Sequence, residues 1–260
     1  FRTAKQQKDT SRRLKEGTVD VVVGTHRLLS KDVGYKDLGV LIVDEEHRFG
    51  VKHKERIKEI RAGVDVLTLT ATPIPRTLHM ALAGIRDFSV ITTPPQGRQD
   101  VKTSVARFST SRMVDAIRAE LARDGQVYFV HNRVQTIWKM EALLRKMIPG
   151  LRVRVAHGQM NERELEDIML SFFQGEFDLL LCTTIIESGL DVPRANTIII
   201  NRADRLGLAQ LHQLRGRVGR AHARGFALLL VPPGRTLSGV AIERLRVIQD
   251  HSHLGAGHRI

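Results

Sequence analysis

Asp44-Glu45-Glu46-His47 follows directly on the apolar run Leu41-Ile42-Val43. A short continuous apolar run reads as a buried strand, the form strands take inside a parallel sheet. In open α/β sheets, ligands sit outside the carboxyl ends of the strands. Paired carboxylates there suit a magnesium ion whose shell is completed by substrate phosphates, with a second carboxylate free to orient or activate a water. Taken alone, the same four residues equally suit a solvated acidic loop with His47 as a bystander.

A second group lies far downstream in Gln213-Leu214-Arg215-Gly216-Arg217-Val218-Gly219-Arg220. If this stretch is helical, Gln213, Arg217 and Arg220 are spaced by four and three residues and share a face. Two guanidiniums converging on one point serve phosphoryl transfer, where catalysis is mostly positioning and charge stabilisation. Gly216 and Gly219 lower helix propensity but let another backbone or a nucleotide come close. Alone, the group reads as a basic solvent face; together with the acidic turn it reads as phosphate chemistry.

These residues need elements to hold them. With 260 residues, 42% of them hydrophobic, the chain has enough apolar content for two medium cores. The balance of 41 Lys+Arg against 28 Asp+Glu gives a net charge of +13, spread along the chain, which is the footprint of a phosphate-backbone partner. No apolar stretch approaches the ~20 residues of a membrane-spanning helix, and no secretory signal opens the chain. The single cysteine, Cys182, sits in Leu179-Leu180-Leu181-Cys182 and reads as a small buried hydrophobe in a reducing compartment rather than a catalytic thiol. One cysteine and scattered histidines give no zinc-ligand spacing, and the Gly-x-Ser-x-Gly turn of a serine hydrolase is missing from the sequence.

Strands are expected at Val19 to Val23, Gly39 to Val43, Val66 to Thr70 and Phe88 to Ile91, alternating with helix-compatible stretches as in a parallel α/β sheet. Thr92-Thr93-Pro94-Pro95-Gln96-Gly97-Arg98 punctuates the pattern and marks a linker. Beyond it, Ser111 can cap a helix carrying Val114, Ile117 and Leu121, and a strand follows from Gln126 to Val130. Asn161 with Glu164 resembles a capping box ahead of the apolar stripe Leu165, Ile168, Met169, Phe172 and Phe173. Further strands are expected at Leu151 to Ala156, Asp178 to Cys182, Thr197 to Ile200 and Phe226 to Val231. From Thr236 on, Leu237, Val240, Ala241, Leu245 and Ile248 repeat at helical spacing.

Several strand ends carry polar turns suited to phosphate. Gly24-Thr25-His26-Arg27 offers amides, a hydroxyl and a cation; Thr70-Ala71-Thr72, stiffened by Pro73 and Pro75, can bridge a nucleotide site to a second lobe. His157-Gly158-Gln159-Met160 precedes a capped helix start. Thr183-Thr184 suits a nucleic-acid backbone, while Gly189 and Asp191 could face a ribose. Each of these turns alone is equally an ordinary loop.

Taken in order, the Gly-Thr-His turn, Asp-Glu-Glu-His, Thr-Ala-Thr, Thr-Thr-Ile-Ile-Glu-Ser-Gly-Leu-Asp and Gln-Leu-Arg-Gly-Arg-Val-Gly-Arg resemble motifs Ib, II, III, V and VI of superfamily-two helicases and translocases. The strings Val43 to Val51, Leu67 to Leu78 and Gly207 to Arg217 are similar to the transcription-repair coupling factor (Mfd) branch, with RecG its nearest relative. Val51 to Arg56 and Ile85 to Ile91 favour the former. The likeness runs from Phe1 to Gly257.

That resemblance implies two RecA-like lobes with mainly parallel sheets in an α/β fold. The first lobe, truncated at its start, would span 1–93, a linker 94–100, the second lobe 101–235, and the start of a helical translocation module 236–260. It further implies a cytoplasmic ATP-driven motor on double-stranded DNA that displaces stalled RNA polymerase and couples transcription to excision repair through UvrA. By position, Asp44 and Glu45 would serve Mg²⁺ and the attacking water, with His47 and Gln213 in the same ATP site and Arg217 and Arg220 acting on the γ-phosphate. Gly189 and Asp191 would touch the nucleotide, and Thr70 and Thr72 would couple the lobes. Thr25, His26, Arg27, His157, Gly158, Gln159, Thr183 and Thr184 would track DNA. One departure is plain: no Gly-x-x-x-x-Gly-Lys-Ser/Thr loop is present to hold the β- and γ-phosphates. The chain begins at Phe1 without a methionine, so a fragment that alone hydrolyses ATP negligibly is expected. A RecG-like fork-remodelling helicase and a non-hydrolysing nucleic-acid-binding module are the alternatives.

Overall fold

The computed structural model describes residues 3–46, 49–61, 63–70, 89, 91, 93, 99–185, 192–219, 223–234 and 236–250. The chain divides into two compact units, Phe1–Asp87 and Phe88–Ile260.

In the first unit, α1 (Ala4–Glu16) starts at Thr3, whose side chain accepts from the Gln6 amide while Gln6 reaches back to the Thr3 amide. It stops at Gly17, whose left-handed φ of 74° costs a glycine nothing. Strand β1 (Val40–Asp44), helix α2 (Val51–Arg61) and strand β2 (Asp65–Leu69) follow. The two strands pair in parallel from Val40 opposite Asp65 to Asp44 opposite Leu69. Leu29, Val43 and Ile57 form the small core. Two expectations are corrected here. β1 is not buried on both faces: Val43 is buried but Val40 and Ile42 are exposed, so the apolar run serves one covered face. Val19 to Val23 forms no strand, and Val21 and Val23 are 80% and 93% exposed. An apolar run becomes a strand only where a ladder partner lies beside it, and none of the described residues pairs with this one. The strand expected at Phe88 to Ile91 falls largely outside the described residues, and Ser89 and Ile91 have no regular structure.

The second unit is built on a six-stranded parallel sheet. In spatial order its strands are β3 (Lys102–Arg107), β8 (Phe226–Val231), β7 (Ala195–Asn201), β4 (Gln126–His131), β6 (Leu179–Cys182) and β5 (Val153–Ala156). β4, β6 and β7 are buried along their whole length, and alternate residues serve opposite faces. Tyr128, Val130, Leu180, Cys182, Ile198 and Ile200 enter one core. Val127, Phe129, Leu179, Leu181 and Ile199 enter the other. Helices α3 (Thr110–Leu121) and α4 (Val134–Met147) cover the second core with Ile117, Ile137 and Leu144. α5 (Glu162–Phe173), α6 (Leu208–Arg215) and α7 (Gly239–Asp250) cover the first with Phe172, Leu214 and Ile248. Cys182 is fully buried, and that burial raises its thiol pKa far above the ordinary value, as suits an inert core residue.

Local details differ from the sequence reading. α3 is capped by Ser109, not Ser111, whose hydroxyl instead lies 2.8 Å from that of Ser109. Asn161 caps α5 by accepting from the Glu164 amide at 2.8 Å, as expected, but Phe173 leaves the apolar stripe and is half-exposed. The C-terminal helix places Ala241, Leu245 and Ile248 in the interior of the second unit and leaves Val240 outside.

Gly219 and Gly225 meet back to back beside Val101: a Cβ on Gly225 would sit 2.9 Å from the Gly219 Cα and amide nitrogen. Both neighbours there are backbone, so Gly225→Ala is expected to destabilise the second unit by about 1–3 kcal/mol, the ordinary range for overpacking. Gly239→Ala, with no heavy atom within 4 Å of the added Cβ, should leave the midpoint of urea unfolding unchanged or slightly raised.

Candidate functional site

The acidic turn starts where β1 ends. Asp44 closes the strand and is exposed. Glu45 then takes a left-handed φ of 52° while its amide donates to the Leu69 carbonyl at 2.9 Å. A non-glycine residue held left-handed costs on the order of 1 kcal/mol or more and persists where its surroundings fix it. Here the fixing contact is the Thr70 hydroxyl, which donates to Glu45 Oε2 at 3.1 Å; one step earlier, the Thr68 hydroxyl donates to Glu46 Oε2 at 3.3 Å. The end of β2 therefore holds both glutamates. The donor set suits a hard cation that keeps water and substrate oxygens in its shell. Among the described residues no cluster of three or more His, Cys, Asp or Glu side chains could cage a metal by itself. His47 and Thr72 lie outside the described residues.

Thr25 caps the short 3-10 turn His26–Leu29, its hydroxyl accepting from the Arg27 amide at 3.4 Å. The His26 ring lies 5.1 Å from that of His53. Arg27 forks onto both oxygens of Asp32, at 2.7 and 2.5 Å, and its hydrogen bonds hold the Asp32 carboxyl down at about 2. The sequence reading of Arg27 as a cation open to phosphate is thereby modified: its charge already has an acidic neighbour, in an exposed pair that competes weakly.

In the second unit, the carboxyl ends of β4, β5 and β6 open into one pocket of about 340 Å³ lined by Asn132, Arg133, Val134, Gln135, Gly158, Gln159 and Thr183. Three of these, Gly158, Gln159 and Thr183, were expected from sequence. Asn132, Arg133 and Gln135 were not, although they follow β4 just as His157 follows β5 and Thr183 follows β6; the strand-end rule identifies them once applied to β4. His157 and Thr184 adjoin the pocket lining in sequence.

The Asn132 to Gln135 segment is fixed from below. The Asn201 amide donates to His131 Nδ1 at 2.9 Å, which leaves the ring proton on Nε2 to be donated to the Thr136 hydroxyl at 2.8 Å. His131 is buried, and burial together with the Arg133 charge lowers its pKa. The neutral ring thus ties β7, β4 and the first turn of α4 together.

The arginine segment departs from expectation. α6 ends at Arg215, and Gly216 caps it. The amides of Arg217 and Val218 close onto the Leu214 and Arg215 carbonyls in tighter turns, so the regular helix does not extend to Arg217. Beyond the helix, Gly219 adopts a left-handed φ of 69° and lies against Gly225. Arg215 is buried and donates to the Ile248 carbonyl at 2.8 Å, joining α6 to α7. Arg220, Gly189 and Asp191 lie outside the described residues. Asp44, Glu45 and Thr70 belong to the first unit; Gln213, Arg217 and the pocket belong to the second.

Comparison with known proteins follows the same division. Residues 1–81 match the DEAD/DEAH box helicase family, and residues 110–222 match the helicase conserved C-terminal domain. The chain is 56% identical over its whole length to the transcription-repair-coupling factor of Staphylococcus epidermidis, and equally to that of Staphylococcus aureus. It spans 22% of the length of these curated relatives. Among solved structures, RecG bound to a three-way DNA junction superimposes with a TM-score of 0.74 at 36% identity, covering 97% of this chain and 33% of that one.

One buried histidine, His131, and one half-buried histidine, His212, are expected to make the second unit acid-sensitive. Burial, with Arg215 adding to it, pushes His212 down to about 4, and His131 is also lowered. Both take up a proton more readily unfolded than folded, so their contribution is complete above pH ~6.5 and is lost as pH falls below it, for His212 down to about 4. Urea midpoints should therefore fall steadily between pH 7 and pH 4.5. His212→Leu should make that dependence shallower; an unchanged slope would show that His212 is not held neutral.

Proposed function

We propose that the chain, which unites a DEAD/DEAH-box segment with a helicase C-terminal domain, is a superfamily-two helicase and forms the motor core of an ATP-driven translocase on double-stranded DNA. The physiological task we assign to it is the displacement of stalled RNA polymerase and the handover of the site to excision repair, with UvrA as the downstream partner. The observation that carries the motor reading is the hydrogen bond from Thr70 to Glu45. It joins the carboxylate suited to orienting water to the end of β2, so a change at the nucleotide can be felt at that strand.

In this reading Asp44 and Glu45 hold Mg²⁺ through carboxylate oxygens, and Glu45 positions the attacking water. His47 and Gln213 complete the polar surroundings of the phosphates, Arg217 and Arg220 offset charge that develops on the γ-phosphate, and Gly189 and Asp191 meet the ribose. Bound MgATP supplies the phosphoryl group and the charge that these residues are arranged to meet. Thr70 and Thr72 couple the two units. DNA phosphates are met by Thr25, His26 and Arg27 in the first unit. In the second they are met by His157, Gly158, Gln159, Thr183 and Thr184, with Asn132 and Arg133 added by the pocket. A fork-remodelling activity is the second reading, favoured by the fit to the junction-bound RecG structure.

The test uses a protein in which this segment is joined to a Gly-x-x-x-x-Gly-Lys-Ser/Thr loop. Glu45→Gln should lower DNA-stimulated ATP turnover by about 10²- to 10⁴-fold with ATP binding retained. Thr70→Val should lower it by about tenfold or more, the scale of one hydrogen bond to a charged group. Full turnover in Glu45→Gln would remove the acidic turn from catalysis.

A further inference from the structure

Trp138 is the only tryptophan in the chain, and it is 53% exposed. So large an aromatic surface is usually mostly covered. It lies on α4 four residues beyond Val134 and three beyond Gln135, both of which line the strand-end pocket, and so shares their side of the helix one turn further along. Its ring meets His157 edge-on, with centroids 6.2 Å apart and planes at 90°. His157 Nδ1 is buried with no hydrogen-bond partner among the described residues, so packing contributes to holding that imidazole against the indole. The result is an aromatic ledge propped at the rim of a pocket whose lining is mostly amide, guanidinium and hydroxyl.

We propose that Trp138 is a DNA-contacting residue whose indole packs on the deoxyribose face of the strand whose phosphates occupy the Asn132 to Gln135 pocket. This rests on the nucleic-acid reading of that pocket. A sugar offers C–H faces between successive phosphates, so a flat aromatic beside a phosphate site can cover it. Bases inside a duplex are stacked and present no free face there. The contact is independent of base sequence, which suits a translocase that must pass over any sequence. The polar pocket beside the ledge and the positive charge of the chain favour a nucleic-acid strand over an apolar protein segment.

Because the chain has one tryptophan, its emission reports this residue alone. Duplex DNA should change Trp138 emission with the same midpoint that anisotropy of the labelled duplex gives. Trp138→Ala should weaken binding about five- to tenfold, the scale of one aromatic contact, without changing the slope of log K against log salt. Trp138→Phe should recover most of that loss. Arg133→Ala should instead reduce the slope by about one, as loss of a phosphate contact does. Far-UV circular dichroism of each variant establishes that it is folded. DNA binding that leaves the emission unchanged, with Trp138→Ala binding as well as the parent, overturns the sugar contact while leaving the pocket reading intact. Absence of DNA binding, or Arg133→Ala leaving the salt slope unchanged, overturns the pocket reading and the proposal with it.

Discussion

Parallel pairing of β5, β6, β4 and β7 is the constraint on which the second unit depends. It brings the carboxyl ends of these strands out along one edge. Val155, Leu181, Phe129 and Ile199 lie level across the sheet, and two or three residues later the chain leaves it as His157, Thr183, Asn132 and Arg202. The register itself is fixed by burial on both faces. A one-residue slip would exchange the two cores, sending Tyr128 and Val130 where Val127 and Phe129 belong. The opposition of His131 and Asn201 is a consequence of that register, and the hydrogen bond between them in turn seats the Asn132 to Gln135 segment. Packing far from solvent thus determines where polar groups meet at the edge.

The first unit applies the same logic on a smaller scale. Asp44 opposite Leu69 ends the ladder, so the residues immediately after, Glu45 and Thr70, leave the strands side by side. The left-handed backbone at Glu45 and the Thr70 hydroxyl bond are two aspects of one arrangement: the turn brings the carboxylate back toward β2, and the hydroxyl keeps it there. A strained backbone at a strand end beside exposed Asp44 is the form in which active sites commonly hold carboxylates ready.

How much of this could be read from the sequence depended on how each element is stabilised. β8 lies where expected, from Phe226 to Val231, because a continuous apolar run is what a strand buried on two faces requires. β3 escaped notice because Lys102-Thr103-Ser104-Val105-Ala106-Arg107 is an edge strand whose pairing is set by β8 rather than by its own apolar content. α4 gave no start signal, since Arg133 at its N-terminus makes no capping hydrogen bond. Val19 to Val23 has strand composition but no ladder partner among the described residues. Helical spacing did not show that α6 stops at Arg215, nor that Gly219 beyond it lies against Gly225, a contact between residues six apart. At the site, Gly158, Gln159 and Thr183 were legible because each follows a strand. The Thr70 to Glu45 bond and the Trp138 ledge depend on register and helix orientation, which only the assembled structure supplies.

The central claim is that DNA is held at the strand-end pocket of the second unit. Hydrogen–deuterium exchange of the chain with and without duplex DNA tests it most directly. The account predicts slowed exchange concentrated in residues 131–136, 157–160 and 183–185, three stretches separated in sequence and joined only by the sheet. Protection confined to the basic helix α1, or spread evenly over the chain with none at these three stretches, would contradict it.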